Sequence, residues 1–260
     1  MATSSQPPSL CEFKEKLYLA WKPEDSNVIK YQRIDSESHL EFGAPATVRA
    51  DHIVCGPVLG ATSRQIFLTW LAGPERADGT HDIWIAESSD GHSFDVFNYS
   101  RQNIHAHSRY PPCFSARGDV MALHWIYDTK VFRAEINPDD TEYDTAGPPE
   151  PHAIDFATVG QPPEDVSTAI RPHVFPTGVT CAYGHNKRWL IVTRSDDAIW
   201  VVPPHGDEIY PLNAASASSA KRAGAAFVGV STNRWNLFVA WKDYRDNNYR
   251  ECKVQCVLPK

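Results

Sequence analysis

The sequence predicts an all-β fold, a five-bladed β-propeller of four-stranded antiparallel blades. Three observations lead there. A short apolar motif, closed by tryptophan in four copies of five, recurs along the chain. A Pro-x-Leu or Pro-x-Phe tripeptide precedes its first three copies at a fixed distance. Turn formers are plentiful, with 20 Pro and 14 Gly in 260 residues, and no stretch holds a helical period beyond two turns.

The motif copies are Lys16-Leu-Tyr-Leu-Ala-Trp21, Gln65-Ile-Phe-Leu-Thr-Trp70, Met121-Ala-Leu-His-Trp125, Arg188-Trp-Leu-Ile-Val-Thr193 and Asn236-Leu-Phe-Val-Ala-Trp241. Each alternates apolar and mixed positions, which is the period of a strand. The upstream tripeptides are Pro8-Ser-Leu10, Pro57-Val-Leu59 and Pro112-Cys-Phe114, each ending eleven positions before its Trp. Val179–Ala182 and Ala225–Val230 are looser equivalents in the last two copies. Third strands are expected at Val28–Ile34, Ile83–Glu87, Val131–Ile136, Ala198–Val202 and Tyr249–Val257, and weaker fourth strands at Glu41–Val48 and Glu208–Leu212.

Each repeat is therefore a four-stranded meander, and five repeats in 260 residues give 52 apiece. Six blades would need about 43 each, which the motif spacing does not support. Units of this kind arrange radially into propellers, which protect their sheet edges. A single domain spanning 1–260 is expected, with blades at about 8–50, 51–105, 106–168, 169–218 and 219–260. A β-sandwich is the competing architecture, but it does not predict an internal repeat. The last repeat lacks room for its fourth strand before Lys260. The Pro-rich stretch 147–163 reads as an excursion from blade three.

The chain carries a net charge of −7. That argues against nucleic acid or an anionic membrane as partner, since both need a basic field. No run of eighteen apolar residues occurs, so no transmembrane helix is expected. Met1–Pro8 has neither the charged nor the apolar region of a signal peptide, and a cytoplasmic location is expected. The six cysteines are expected as reduced thiols.

The pattern Pro-x-Leu, a gap, Leu-Tyr-Leu-Ala-Trp-Lys and an Ile-bearing third strand, seen best over Pro8–Ile34, resembles the blade of lectin-like propellers. These include the fungal fucose-binding lectins and their bacterial relatives. The stretch Ile83–Phe94 is similar to the Asp-box turn of sialidase-type propellers, except that Asp90 and Gly91 are adjacent. Fucose-type lectins repeat an Arg, a Glu and aromatic residues between blades. No such set recurs in register here, so one principal site is expected rather than five. The Trp positions read as core packing.

In a propeller, the loops leaving the outer strand share a face with the loops between strands two and three, and that face is the natural site. The outer-to-inner loops carry Asp51 and His52, then His105, His107, Arg109 and Tyr110, then Arg171 and His173, then Arg222. Loops after strand two add Tyr127, Arg194 and Lys242. Two readings stand. The charges pair around a rim, or they form a pocket for an oxygen-rich or anionic small molecule held by charge-assisted hydrogen bonds. In the second, Arg109, Arg171 and Arg222 hold developing negative charge, the histidines move protons near neutral pH, and Arg109, Tyr110, Arg171 and His173 are the catalytic candidates. His105-x-His107 is a weak metal pair, and no metal is expected. The inner-strand starts offer only Glu12 and Asp51 as carboxylates, which counts against glycoside hydrolysis. No nucleotide, serine-hydrolase or zinc-protease motif occurs, so no cofactor is expected.

The resemblance implies two functions. Fungal secondary-metabolism enzymes on lectin-like propellers carry out dehydration and cyclisation, including Diels–Alder-type reactions. A cofactor-independent enzyme of that kind, acting on an oxygenated natural product at the channel mouth, is the first. A cytosolic carbohydrate-binding lectin is the second. The partner is a small organic molecule or a glycan, and self-association into a homo-oligomer is compatible with either. On both readings Arg171→Ala should weaken ligand affinity or activity by about 1.5–3 kcal/mol, the scale of a hydrogen bond to a charged group. Its melting temperature should barely move. Measuring both on one variant checks this, and a destabilised protein with native affinity would assign Arg171 to a rim ion pair.

Overall fold

The computed structural model describes residues 6, 8–24, 26–35, 41–42, 44–101, 106–117, 119–128, 130–136, 152–155, 176–184, 187–194, 199–202, 210–211, 224–231, 234–243 and 251–257. Among them all regular structure is β apart from one 3-10 turn, Tyr99–Arg101. The chain divides into two compact units, Met1–Tyr127 with Arg133–Pro151 and Asp128–Phe132 with His152–Lys260.

The first sheet holds β1 (Ser9–Phe13), β2 (Lys16–Trp21) and β3 (Val28–Asp35), followed by β4 (Glu41–Phe42) and β5 (Ala46–Arg49), both paired to β3. The second runs β6 (Ile53–Ala61), β7 (Ile66–Ala72), β8 (His81–Ser88), with β9 (Asp95–Asn98) and β10 (His107–Ser108) both on the outer side of β8. These two lie wholly in the first unit. The division falls within the third sheet, β11 (Cys113–Arg117), β12 (Val120–Tyr127), β13 (Lys130–Ile136) and β14 (His152–Asp155). The second unit contains the fourth sheet, β15 (Pro176–Gly184), β16 (Lys187–Arg194), β17 (Ile199–Val202) and β18 (Tyr210–Pro211), and the fifth, β19 (Gly224–Ser231), β20 (Arg234–Asp243) and β21 (Glu251–Val257).

Among the described residues the first three strands of each sheet form a sequential meander, as the repeat predicts, and the fifth sheet shows three strands. Two details depart from expectation. The fourth strand expected over Glu41–Val48 is broken into β4 and β5, and Pro45, which has no N–H to give a ladder, stands in the gap. The segment after β9 returns to β8 as β10, a strand the repeat did not signal.

The fixed eleven-residue spacing has a structural cause. Leu10 pairs with Leu19, Leu59 with Leu68 and Phe114 with Leu123. In the first sheet a two-residue turn, Lys14-Glu15, follows a longer ladder, and both residues take left-handed φ of 49° and 62°. In the second, a four-residue turn follows a shorter ladder closed at Ala61 and Ile66. Register is the same in both although the turns differ; Leu59 and Leu68 are buried partners that must meet, whereas Leu10 is 56% exposed and its register is kept by the ladder itself. Pro8 and Pro112 sit one position beyond the ladder ends at Ser9 and Cys113, and Pro57 sits in the irregularity between Cys55 and Val58. All three are places where a missing N–H costs no ladder bond.

Within the first unit successive first strands pack side by side, β1 beside β6 and β6 beside β11. The Leu59 amide donates to Ser9 Oγ at 2.9 Å across the first junction. Sheets in such a stack are covered on both faces, and β7 is accordingly buried at all seven positions. Its Ile66, Leu68, Trp70 and Ala72 join a cluster with Tyr18, Ile29, Tyr31 and Val48 of the first sheet. Its Phe67 turns the other way, to Phe114 of the third sheet at 5.9 Å between ring centres. Trp125 meets Tyr99 edge-on at 6.0 Å. Trp70 and Trp125 are thus fully buried core residues that pack back onto the preceding sheet. In the second unit β15 lies beside β19, and Val179, Ile191, Val192, Ile199 and Val201 are buried, with Thr193 taking the tryptophan position in the interior. Cys55 and Cys113 are buried thiols, and burial pushes the Cys11 thiol up to about 12, so it is protonated and unreactive at neutral pH.

The β8–β9 turn closes the end of the second sheet that also carries the β6–β7 turn. Asp90 Oδ1 accepts from the His92 amide at 2.7 Å, the Ser93 amide at 3.0 Å and Ser88 Oγ at 2.8 Å, while Ser88 Oγ accepts from the Gly91 amide. Those amide bonds hold the Asp90 carboxyl down at about 2. The turn then grips the first sheet. Tyr31 donates its hydroxyl to the His92 carbonyl, its ring meets Phe94 edge-on at 4.8 Å, and Lys14 Nζ donates to the Ser89 carbonyl. Gly91 has φ +74°, and a Cβ there would collide with the Tyr18 phenol. Gly73 has φ +93° with nothing within 4 Å. Gly91→Ala should therefore destabilise the protein by about 2–4 kcal/mol, the left-handed cost plus overpacking, and Gly73→Ala by only about 1–2 kcal/mol. Denaturant midpoints of the two variants measure the difference, and equal losses would remove the steric contact from the account.

Candidate functional site

The opposite end of the second sheet gathers the polar groups. Ile53 pairs with Ala72 and Ala72 with Asp82, so the start of β6, the end of β7 and the start of β8 lie together. His107 pairs with Asp82 and Ser108 with His81, which brings the β9–β11 connection to the same end. The end of β12 joins it through Tyr127, whose ring meets that of His107 edge-on at 6.5 Å.

Asp82 is the centre of this group. Its Oδ1 accepts from Arg76 Nε at 3.0 Å and Nη2 at 2.8 Å, and its Oδ2 accepts from Asn98 Nδ2 at 3.0 Å. His107 Nδ1 stands 3.5 Å from Oδ1. Burial pushes the Asp82 carboxyl up, but the Asn98 and Arg76 hydrogen bonds and the charges of Arg76 and His107 outweigh it and hold the group below the usual carboxylate range. The Asp82 side chain keeps 23% of its surface and Arg76 44%, whereas His107 keeps 8%. The carboxylate and the guanidinium are therefore the groups a ligand can reach, and His107 works from beneath them.

The 73–80 loop that presents Arg76 is rigid by construction. The Gly79 amide donates to the Arg76 carbonyl and the Arg76 amide to the Thr80 carbonyl, both at 2.9 Å. Asp78 Oδ1 accepts from the Thr80 amide at 3.0 Å and Thr80 Oγ1 at 2.6 Å, and these bonds, the hydroxyl's foremost, hold its carboxyl below the usual range. At the loop's start the Gly73 amide donates to the His52 carbonyl at 3.1 Å, and His81 Nδ1 lies 3.2 Å from the Gly73 carbonyl.

The residues singled out from sequence fall into three groups. Asp51, His52, His107, Arg109, Tyr110 and Tyr127 come to this end of the sheets. Asp51 and His52 are exposed, with His52 at φ 51°. Arg109 donates from Nη2 to the Asp78 carbonyl. Ser108 Oγ donates to the Tyr110 carbonyl at 2.8 Å and accepts from the Tyr110 amide at 3.1 Å, fixing that residue's backbone, and burial raises the Tyr110 phenol pKa against the lowering charge of Arg109. Arg194 closes β16 and Lys242 lies on β20, both in the second unit. His105, Arg171, His173 and Arg222 lie outside the described residues. Sequence reasoning missed Arg76, Asp82 and Asn98. The available signal was the charged, two-glycine loop Gly73-Pro-Glu-Arg-Ala-Asp-Gly-Thr80 immediately before an Asp at a strand start.

No protein-family model matches the chain, and no curated protein matches it. Solved structures do. A mutant of the Aleuria aurantia lectin AAL, in complex with Fucα1-6GlcNAc, aligns over 99% of this chain and 80% of its own with a TM-score of 0.61 at 10% identity. The SapL1 lectin in complex with α-methyl fucoside aligns over 98% and 83% with 0.56 at 12% identity. The GH43_1 enzyme from Xanthomonas citri complexed with xylose aligns over 98% and 87% with 0.51 at 14% identity. The chain has a β-propeller fold. At such identities the likeness concerns the fold, and binding and catalysis have to be argued from the residues.

Because the folded Asp82 pKa lies below its unfolded value of about 3.9, its interactions stabilise the protein above that pH and the stabilisation is lost as pH falls through the folded value. Asp82→Asn should cost about 1–2 kcal/mol at pH 7, discounted for exposure. The melting temperatures of the two proteins should converge as pH falls through the folded carboxyl's lowered range. Thermal unfolding across that range checks the sign, and a gap that widens on acidification would contradict it.

Proposed function

We propose that this protein is a five-bladed propeller with one principal ligand site, on the blade end formed by the 73–80 loop, the β9–β11 connection and the end of β12, and that it binds an oxygen-rich small organic molecule. The observation that carries the proposal is the Asp82 carboxylate, part-exposed and ionised, with its orientation fixed by Arg76 and Asn98 and with His107 Nδ1 3.5 Å away. A fixed carboxylate beside a fixed guanidinium offers acceptors and donors at set positions, and a polyol with paired hydroxyls satisfies both. Likeness in fold to lectins solved with fucosides and to an enzyme solved with xylose supports a carbohydrate-like ligand. The absence of a polar set recurring from blade to blade supports one site per chain.

A catalytic reading of the same site is favoured by one observation, the approach of His107 Nδ1 to Asp82. A carboxylate beside an imidazole favours its protonated form, as in acid–base pairs generally. Dehydration or cyclisation of an oxygenated natural product needs only such proton transfer, an oriented substrate and donors aimed at one oxygen. Arg109 and Tyr110 are the donors in that scheme.

A glycan array followed by calorimetry tests the binding reading. The expected result is saturable, sugar-competable binding with one site per chain, weakened about tenfold or more in Asp82→Asn, the loss of one charged hydrogen-bond acceptor. Four or five equivalent sites would restore a fucose-lectin arrangement and set this site aside. No glycan signal, with His107→Gln and Asp82→Asn both abolishing turnover of an oxygenated substrate, would decide for catalysis.

A further inference from the structure

Arg109 is placed unlike an ordinary surface arginine. Its guanidinium lies across the tip of the 73–80 loop, held by the bond from Nη2 to the Asp78 carbonyl. Gly79 makes the room. A Cβ at that position would stand 2.7 Å from Nη2, 3.0 Å from Nε and 3.1 Å from Cζ, so the guanidinium covers the bare Cα, and φ of +75° turns the backbone to receive it. The loop beneath is closed by its own hydrogen bonds, so this cation sits on a rigid support before any ligand arrives.

The acidic groups around it are committed elsewhere. Asp78 spends its carboxylate on Thr80, and Asp82 spends its own on Arg76 and Asn98. Both carboxylates feel the charge of His107. Among the described residues no carboxylate forms an ion pair with Arg109, while Arg76 is paired with Asp82 through Nε and Nη2. One of the five guanidinium N–H groups is used at the Asp78 carbonyl, and the side chain is exposed. Tyr110 follows directly, with a phenol that burial keeps protonated and able to donate.

We infer that Arg109 is the anion-recognising arm of this site, so that the ligand is a hydroxylated molecule bearing a carboxylate: hydroxyls on the Asp82–Arg76 pair, carboxylate on Arg109. The inference rests on the proposed ligand site and narrows its ligand class to sugar acids and hydroxy acids. A planar guanidinium matches a carboxylate through paired N–H groups, and a cation already immobilised loses little entropy on binding one.

The test uses acetate, D-glucose and D-glucuronate as probes, followed through the Arg Nε–Hε signals in nitrogen-15 correlation spectra. Acetate should shift the Arg109 signal saturably and leave Arg76 nearly still. Glucuronate should bind at least tenfold tighter than glucose, and the margin should shrink as salt is raised. Arg109→Gln should make the two sugars equal. Gly79→Ala keeps the charge but displaces the guanidinium, and should cut the preference several-fold while the protein stays folded. Equal affinity for both sugars in the wild type, or a preference that survives Arg109→Gln, overturns the anion arm. If both sugars bind equally and both are lost in Asp82→Asn, the site stands without the arm. If none of the three probes shifts any signal from this blade end, the arm and the site fall together.

Discussion

A sheet covered on both faces leaves polar side chains almost nowhere to go but its ends. That constraint governs this molecule. β7 buries all seven of its residues, alternate side chains serving the first sheet and the third. Thr69 survives in its middle only because Oγ1 donates to the Trp84 carbonyl at 2.9 Å. Ser115 and His124 survive between β11 and β12 because they bond each other at 3.0 Å. Unpaired polar groups in such positions would cost a few kcal/mol each, so the strands are apolar by necessity and the chemistry is displaced to the loops. The two ends have then diverged in kind. One is closed on itself by the Asp90 turn and its grip on Tyr31, and the other presents Asp82, Arg76 and Arg109 to solvent.

The same constraint explains what could be read from the sequence. Trp70 and Trp125 have to fill the space against the preceding sheet, and their register with the upstream strand has to be kept, so the spacing from Leu59 and Phe114 is written into the chain even though the turns differ in length. Third strands such as Val28–Asp35 and Glu251–Val257 were legible to within two residues. The pairing of β10 with β8 was not legible, because two residues carry no period, and their partner was fixed only by where β9 ends. The break at Pro45 was visible as a residue type but not as a consequence.

At the site, legibility followed loops rather than pairs. Arg109, Tyr110, His107 and Tyr127 were marked by belonging to the connections that share one end of the blades. Asp82 was overlooked because the strand it begins was read from its apolar part, starting at Ile83, and an acidic residue at a strand start looks like surface. What gives Asp82 meaning is non-local. Asn98 is sixteen residues away, and His107 comes opposite through β10. Neither distance is visible without the register. Conversely, the sequence could rank Arg109 but not explain it, since its support is the bare Cα of Gly79, thirty residues earlier in the chain.

The division of labour between the two ends bears on how such a protein can change over generations. The Asp90 turn and the Tyr31–Phe94 contact fasten neighbouring blades at the end away from the site. Lengthening or rewriting residues 74–78 would leave that fastening untouched, because among the described residues the loop's hydrogen bonds run within itself and to His52, His81, Asp82 and Arg109, all at the site end. New recognition surfaces can therefore be tried at one end of this blade without refolding the other. The segment between β7 and β8 is the natural graft point for anyone wishing to give the scaffold a different ligand.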